Sequence, residues 1–217
     1  ASCLVGSEMC IRDRHLNIII EETDRLTQIV NDMLDLSKLE SGAQKLDYST
    51  FDIAQCMAEI VHRYEGVSER MGYQIHLTLD EPCMVRCDES KIDRVIGNLI
   101  NNAINYTSKE DKQVFVTQRN LPQCVRIEVR DTGDGIEEDK IKLIFDKYYR
   151  SENHKREVVG TGLGLSIVKE ILKMHNYNYG VNSKLGEGST FWFEIRDIVP
   201  PEKPEDEEIP DAEIRQL

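Results

Sequence analysis

Apolar residues recur at steps of three and four in the segment that begins at His15, with charged residues between them. This spacing predicts one long amphipathic helix with a heptad-like seam. The helix would end near Gly42, a residue type suited to the position after a helix. A single helix cannot bury its own stripe, so the pattern predicts a partner helix or a second chain. The seam and its flank hold Leu16, Ile19, Ile20, Thr23, Leu26, Thr27, Val30, Met33, Leu34 and Ser37.

Beyond residue 43 the pattern changes to short alternating strands and two-faced helices. "YSTFDI", "YQIHLTLD" and "MVRCD" read as strands, and "QVFVTQRN"/"CVRIEVRD" and "YGVNSK"/"STFWFEI" as two hairpins. Helices are predicted over 54–72, after Asp88 or Ser90 as N-cap, and near 137–147 and 163–175. His175 would end the last helix, where a protonated side chain favours the helix dipole. This order predicts an α/β two-layer sandwich with a mixed sheet and helices on one face, preceded by one long helix.

The chain divides into four parts. Residues 1–14 show no clear period, and we interpret them as a non-native or disordered leader, with a frayed first helical turn as the alternative. Residues 15–42 form the long helix, and residues 43–197 form the α/β domain. Residues 198–217 are rich in proline and acidic residues, which predicts a disordered tail or a short docking peptide.

Charge and cysteine usage exclude several function classes. The net charge of −13 disfavours binding to nucleic acid or to an anionic membrane. No apolar run approaches the roughly 20 residues that span a bilayer, and no secretory signal is visible. The six cysteines contain no C-x-x-C, which favours reduced thiols in the cytoplasm over a metal site.

Four asparagines interrupt the helix predicted after Asp88. In "NLINNAINYT" they recur at steps of three and four, which places Asn98, Asn101, Asn102 and Asn105 along one side of the helix. Asparagine is a mediocre helix former, and an unpartnered buried amide is costly. The pattern therefore predicts a ligand beside this face of the helix.

Three glycine clusters follow in order: "DTGDGI" at 131–136, "GTGLGL" at 160–165 and "GEGST" at 186–190. Glycines let a backbone approach a ligand closely, and "GTGLGL" runs into a helix whose free N–H groups favour phosphate oxygens. The spacing fits neither a Rossmann fingerprint nor a P-loop. "DTGDGI" also fails as a calcium loop because its third position is glycine. One cluster alone is more often a plain turn, so their order after the asparagine helix is the informative feature.

Five segments together resemble the N, G1, F, G2 and G3 boxes of sensor histidine kinases, members of the gyrase/Hsp90/histidine kinase/MutL group with its Bergerat-type ATP-binding fold. They are "NLINNAINYT", "DTGDGI", "IFDKYYR", "GTGLGLSIVKEI" and "GEGSTFWFEI". In addition, "EETDRLTQIVNDMLDLSKLESG" is similar to the second helix of the dimerization and phosphotransfer domain. The resemblance covers about residues 15–196.

The resemblance implies a site for ATP and Mg²⁺. Asn102 would ligate Mg²⁺, Asn98 would lie near metal and phosphates, and Asp131 would accept a hydrogen bond from the adenine amino group. Asn101 and Asn105 would be ordinary surface or capping amides. The remaining implied cofactor-binding residues are Tyr106 beside the base or ribose, Gly133 and Gly135 near the base, Gly160, Gly162, Leu163 and Gly164 near the phosphates, and Ser189 at the base pocket.

The resemblance also implies protein histidine kinase activity. The basic segment between the F and G2 boxes would form a lid, in which Lys147 and Arg150 neutralise charge on the transferring phosphoryl group. Related ATPases carry a glutamate as general base where this chain has Asn98, and an amide cannot take up a proton at neutral pH. Transfer to a protein side chain is therefore favoured over hydrolysis.

The sequence departs from the family pattern at the acceptor. None of the five histidines is followed by an acidic residue, so the acceptor histidine and the first phosphotransfer helix are expected to be absent. Asn105 also replaces a usual Lys or Arg. The expected partners are a phosphotransfer histidine of the same or a partner subunit, a response regulator receiver domain, and a second copy in an intact homodimer anchored in the cell membrane. The alternatives are an ATPase of the same fold and a non-catalytic nucleotide-binding or interaction module.

Overall fold

The computed structural model describes residues 2–107, 112–149 and 161–200. Helix α1 runs from Ser2 to Glu40, so helical backbone begins well ahead of His15, where the sequence pattern placed its start. The apolar stripe is exposed to solvent: Leu26 is 61% exposed and Val30 is 54% exposed. Near the other end of α1, Leu36 and Leu39 are buried against the rest of the chain. No helix in the described part of the chain is long and apolar enough to cross a membrane.

The remaining elements form two sheets and three further helices. The strands are β1 (Ser49–Asp52), β2 (Gln74–Thr78), β3 (Met84–Cys87), β4 (Gln113–Leu121), β5 (Cys124–Asp131), β6 (Asn178–Lys184) and β7 (Gly188–Ile195), and the helices are α2 (Ile53–Met71), α3 (Glu89–Tyr106) and α4 (Gly164–Met174). The main sheet has the order β2-β4-β5-β7-β6, in which β2 and β4 are parallel and the other pairs antiparallel. Both predicted hairpins, β4-β5 and β6-β7, are confirmed. Strands β1 and β3 form a separate two-stranded sheet that the sequence did not indicate.

One face of the main sheet is buried beneath the helices. Along β4 and β5 every second residue is buried, for example Val114, Val116, Val125 and Ile127. The opposite face carries polar residues, where Arg126 lies 4.0 Å from the centre of the Trp192 ring and pairs with acidic neighbours. This alternation is typical of a sheet that is covered by helices on one face and exposed to solvent on the other. The predicted two-layer α/β fold is confirmed.

Helix α3 begins at the predicted cap. The Asp88 carboxylate accepts hydrogen bonds from the backbone N–H of Lys91 at 3.1 Å and of Asp47 at 3.0 Å. Seven apolar residues of α3 follow the 3.6-residue period and are buried against the sheet. The four asparagines occupy the other side of the helix, which is the side that borders the candidate site.

Three local expectations differ from the structure in part or in full. Residues 137–147 form successive turns rather than a helix, because their backbone hydrogen bonds span three residues, as from the Lys140 N–H to the Glu137 carbonyl. His175 does end α4, but it is buried, and burial lowers its pKa, so it acts as a neutral hydrogen-bond partner. Backbone pairing with β3 also continues past residue 197, since the Val199 N–H donates to the Met84 carbonyl.

Candidate nucleotide-binding site

A cavity of about 500 Å³ opens between α3, the loop after β5 and the β6-β7 turn. Its wall is mostly apolar, with a few polar groups, which is typical of small-molecule sites. Asp131 and Ser189 lie on one side, and Asn102 and Tyr106 on another. The rest of the lining consists of Asp134, Gly135, Ile136, Glu137, Lys140, Ile144, Tyr149, Leu165, Leu185, Gly186 and Phe191.

A second cavity of about 380 Å³ adjoins the first. The two share Asn102, Tyr106, Ile144, Tyr149 and Leu165 as common walls. The second cavity is more polar, because all four asparagines of α3 border it together with Gly162 and Gly164. Asn101 and Asn105, expected to be ordinary surface amides, therefore also face this space.

Asp131 is held firmly at the end of β5. Asp131 is only 3% exposed to solvent. Its Oδ1 accepts hydrogen bonds from the Gly133 N–H at 2.8 Å and from the Ser189 N–H at 3.2 Å. Both donors are backbone groups of glycine clusters that the sequence singled out. The carboxylate is thereby fixed at the wall of the larger cavity.

Close backbone contacts explain the glycines beside Asp131. A Cβ on Gly133 would lie 2.5 Å from the Tyr106 carbonyl oxygen, and a Cβ on Gly135 would lie 2.1 Å from that of Lys184. Gly135 also has a φ of +74°, in the left-handed region that favours glycine. Gly133 is buried and does not border the cavity, whereas Gly135 does. These contacts press the loop after β5 against α3 and the β6-β7 turn.

The second glycine loop leads into α4 beside the asparagines. Gly162 has a φ of +71°, and its carbonyl accepts a hydrogen bond from the Tyr148 N–H at 3.1 Å. The Asn98 Nδ2 contacts the Gly164 carbonyl at 3.5 Å. Leu163, predicted to bind cofactor, has a fully buried side chain, and its N–H donates to the Thr161 hydroxyl at 3.2 Å. Leu163 therefore anchors the loop in the core rather than facing either cavity.

Helix α1 reaches the smaller cavity through Asp32 and Gln28. Asp32 is 7% exposed; it accepts a hydrogen bond from the Thr161 hydroxyl at 3.1 Å and pairs with Arg94 at 3.3 Å. Arg94 also contacts Asp35 at 2.5 Å. The sequence did not indicate this connection, because it joins residues far apart in the chain and no local period reports it.

Besides Gly133 and Leu163, three predicted residues lie away from the cavities or outside the described chain. Lys147, assigned to catalysis, borders neither cavity and pairs with Glu40 at the end of α1, 2.6 Å away. Arg150 and Gly160, with most of the predicted lid, lie outside the described residues. The apolar lining residues Ile136, Ile144 and Phe191 were not predicted; only Phe191, in the alternating buried pattern of β7, carried a local signal for an inward side chain.

Two family models match the chain. The histidine kinase-, DNA gyrase B- and HSP90-like ATPase model matches residues 87–198, about half of the chain. The His Kinase A (phospho-acceptor) domain model matches residues 6–42. The second match begins within residues 1–14, so part of the segment interpreted as a leader resembles the phospho-acceptor domain.

Curated relatives are sensor proteins. Drug sensory protein A of Synechocystis sp. is 35% identical over 195 residues, which is 85% of this chain and 29% of that protein. Sensor histidine kinase WalK of Bacillus subtilis is 32% identical over 187 residues, 85% of this chain and 31% of that protein. The chain thus spans less than a third of the length of these relatives.

Solved structures agree in fold. Full-length ShkA in complex with AMPPNP gives a TM-score of 0.74 at 27% identity, covering 83% of this chain and 37% of ShkA. ThkA in complex with the response regulator TrrA gives 0.67 at 25% identity, covering 84% and 50%. The mixed sheet, the paired cavities beside α3 and the two family matches lead to one conclusion: the chain belongs to the sensor histidine kinases and carries their ATP-binding domain.

Proposed function

We propose that the chain binds Mg·ATP across the two cavities and transfers the γ-phosphoryl group to a histidine of a phosphotransfer domain. One observation carries the proposal: Asn102 borders both cavities, with Asp131 on the wall of one and Gly162 on the wall of the other. ATP matches this pair of cavities: the flat aromatic base would fit the more apolar one, and the charged triphosphate would fit the more polar one. Bound ATP supplies the phosphoryl group, and the chain supplies orientation and electrostatic stabilisation.

The larger cavity suits an adenine base. Its apolar wall would pack against the ring, and the fixed Asp131 carboxylate would accept a hydrogen bond from the exocyclic amino group. A guanine base presents a carbonyl oxygen at that position, which would face the carboxylate unfavourably. Tyr106, which borders both cavities, is placed for contact with the base or ribose.

The smaller cavity suits phosphates and Mg²⁺. Asn102 and Asn98 offer amide oxygens, which are hard ligands of the kind Mg²⁺ accepts, and Gly162 and Gly164 allow phosphate to approach the start of α4. No group of three or more His, Cys, Asp or Glu side chains that could hold a metal exists among the described residues. The metal would therefore depend on phosphate oxygens and water for most of its ligands, as is usual for Mg²⁺.

Phosphoryl transfer is favoured over hydrolysis by the residues at the smaller cavity. No glutamate appears in the part of the lining that the structure describes. The carboxylate that does line this cavity, Asp32, already accepts hydrogen bonds from Thr161, Arg94 and Gln28. Among the residues that the structure describes, this cavity therefore has no free carboxylate to act as a general base for water. Lys147 and Arg150 remain candidates for charge neutralisation, and Lys147 would first have to leave Glu40.

The partners follow from the same proposal. The histidine would come from the phosphotransfer domain of the same or a partner subunit, and a response regulator aspartate would then take the phosphoryl group. The ThkA neighbour, solved with the response regulator TrrA, supports this class of partner. The exposed stripe of α1 is consistent with a homodimer, and we propose that segments outside this chain anchor the intact protein in the cell membrane.

Calorimetric titration with a non-hydrolysable ATP analogue tests the nucleotide and metal assignments. We expect binding in the presence of Mg²⁺, weaker binding in EDTA, and loss of most of this difference in Asn102→Ala. Asn182→Ala, an amide removed from an exposed position outside both cavities, is the matched control and should bind as the parent chain does. An absence of nucleotide binding would refute the proposal.

A transfer assay tests the reaction. The chain is mixed with Mg·ATP labelled at the γ-phosphate and with a separately made helical hairpin that carries a phosphotransfer histidine. Acid-labile label on the hairpin is the expected result. Steady phosphate release without labelling would favour the ATPase alternative, and nucleotide binding with neither activity would favour a non-catalytic module.

A further inference from the structure

Ser183 lies outside the glycine clusters and the other motifs assigned to the site, yet it connects the loop after β5 to the start of β7 beside the larger cavity. It sits on β6 directly opposite Ser189 of β7. Its hydroxyl contacts the Ile136 N–H at 2.8 Å, the Gly188 carbonyl at 3.0 Å and the Ser189 hydroxyl at 2.9 Å. Ile136 and Ser189 both border the cavity, whereas Ser183 does not.

The chemistry of these three contacts fixes the direction of each hydrogen bond. A serine hydroxyl has one proton to donate and two lone pairs that accept. The Gly188 carbonyl can only accept, so Ser183 donates its single proton there. The Ile136 N–H can only donate, so Ser183 accepts from it. The contact with Ser189 therefore requires Ser189 to donate its hydroxyl proton to Ser183.

This arrangement determines what Ser189 can offer to a ligand. Its only hydroxyl proton points to Ser183, so its oxygen meets the cavity with lone pairs. The Ser189 backbone N–H is also committed, because it donates to Asp131 Oδ1 at 3.2 Å. The wall formed by Asp131 and Ser189 thus presents hydrogen-bond acceptors, although serine alone could act as either donor or acceptor.

We infer that Ser183 is a positioning residue that sets this wall to accept hydrogen bonds, and so selects a base with an exocyclic amino group over one with an oxygen at the same position. The inference rests on the proposed binding of ATP and extends it to base specificity. Without the Ser183 hydroxyl, the Ser189 proton is released to rotate toward the cavity. The pocket then tolerates a 6-oxo base, and the Ile136 N–H loses its partner.

The test compares ATP with inosine triphosphate, which carries an oxygen in place of the adenine amino group. Dissociation constants for both, measured with the whole chain and Mg²⁺, give a preference ratio. We expect Ser183→Ala to reduce the preference for ATP by about three- to ten-fold, the factor expected for a neutral hydrogen bond. Ser183→Thr keeps a hydroxyl and should keep the ratio. Asn182→Ala, on the same strand, should leave it unchanged.

A merely structural role for Ser183 would weaken both nucleotides equally and leave the ratio intact, which would overturn the inference. Should Ser183→Ala fail to fold, Ser189→Ala provides the second test, because it removes the hydroxyl that Ser183 orients. An unchanged ratio in Ser189→Ala would also overturn the inference. These outcomes differ from failure of the proposed function, in which the parent chain itself would not bind ATP.

Discussion

At the scale of single residues, the asparagines of α3 show how one helix serves two purposes. The apolar side is buried in the core and holds the fold together, while the amides border the smaller cavity. An amide face costs helix propensity, which the buried side offsets. The sequence period was sufficient to predict this division, because both faces lie on one continuous helix.

Replacing Asp131 by asparagine should weaken ATP binding about ten-fold or more. The change keeps an oxygen for the two backbone donors but removes the charge, and a hydrogen bond to a charged group contributes about 1.5–3 kcal/mol. Calorimetric titration with an ATP analogue measures the effect. Asp134→Asn removes a carboxylate from the same cavity wall and should have a smaller effect. Equal losses in both variants would contradict a specific contact with the base.

The pair Gly135→Ala and Gly186→Ala should separate steric clash from backbone strain. Both glycines have positive φ, at +74° and +81°, but only a Cβ on Gly135 meets another atom, the Lys184 carbonyl oxygen 2.1 Å away. Gly186→Ala should therefore cost about 1 kcal/mol of unfolding free energy, and Gly135→Ala clearly more. Urea denaturation gives both values, and similar costs would argue against the close contact. Gly135→Ala should also weaken ATP binding, since it displaces the cavity wall.

At the scale of elements, α1 is held to the domain by a short buried stretch near its end. Leu36 and Leu39 are 3% and 5% exposed, and Arg94 pairs with Asp32 and Asp35. Arg94 and Asp35 are partly exposed, so the ion pairs contribute modestly and the leucines contribute most of the attachment. The rest of the stripe on α1 takes no part in this contact.

The attachment can be tested with two leucines on opposite sides of α1. Leu36→Ala should cost about 2–4 kcal/mol at the contact and raise hydrogen exchange in the second half of α1. Leu34→Ala removes the same atoms from a position that is 53% exposed and should cost well under 1 kcal/mol. Hydrogen exchange with mass spectrometry reports both variants. Equal exchange in the two would mean that α1 does not dock through Leu36.

Most elements were predictable from sequence because their signal is local. The hairpins followed from two alternating segments at short separation, and α3 from a cap and a 3.6-residue period. The segment 137–147 was predicted wrongly as a helix because Ile141, Ile144 and Phe145 recur at steps of three and four, whereas its backbone hydrogen bonds span three residues. The β1-β3 sheet, the contact of Asp32 with Thr161 and the contact of Ser183 with Ile136 join residues distant in the chain, which the periodicity of the sequence cannot indicate.

At the scale of the whole molecule, His175 makes stability depend on pH. It is 6% exposed, its Nε2 lies 3.2 Å from the Asp88 N–H, and its Nδ1 lies 2.9 Å from the Ile171 carbonyl. Burial lowers the pKa of His175 below its ordinary value of 6.5, with Lys91 adding to this effect. The hydrogen bond to Ile171 and the charges of Asp88 and Asp197 oppose the shift without reversing it.

Stability should therefore fall as the pH drops below about 6.5. In that range the unfolded chain takes up a proton that the folded chain resists until its lower pKa is reached, so the unfolded state binds more protons. The contribution is complete above pH 6.5. Urea denaturation between pH 5 and 8 measures the slope, and His175→Gln should flatten it. The Asp88 carboxyl does not confuse this range, because hydrogen bonds from Asp47, Ser90 and Lys91 outweigh burial and hold its pKa below 3.8. An unchanged slope in the variant would assign the effect elsewhere.

The hydrogen bond between Asp32 and Thr161 makes the seating of α1 and the state of the glycine loop parts of one equilibrium. Thermodynamic linkage is reciprocal. If nucleotide binding rearranges Thr161 and so changes the free energy of α1 docking, then displacing α1 changes the free energy of nucleotide binding by the same amount. A movement of α1 would therefore change nucleotide affinity, and binding of the phosphates would change the position of α1. Asp32 Oδ2, which accepts the hydrogen bond from Thr161, is the atom through which the two sites contact each other.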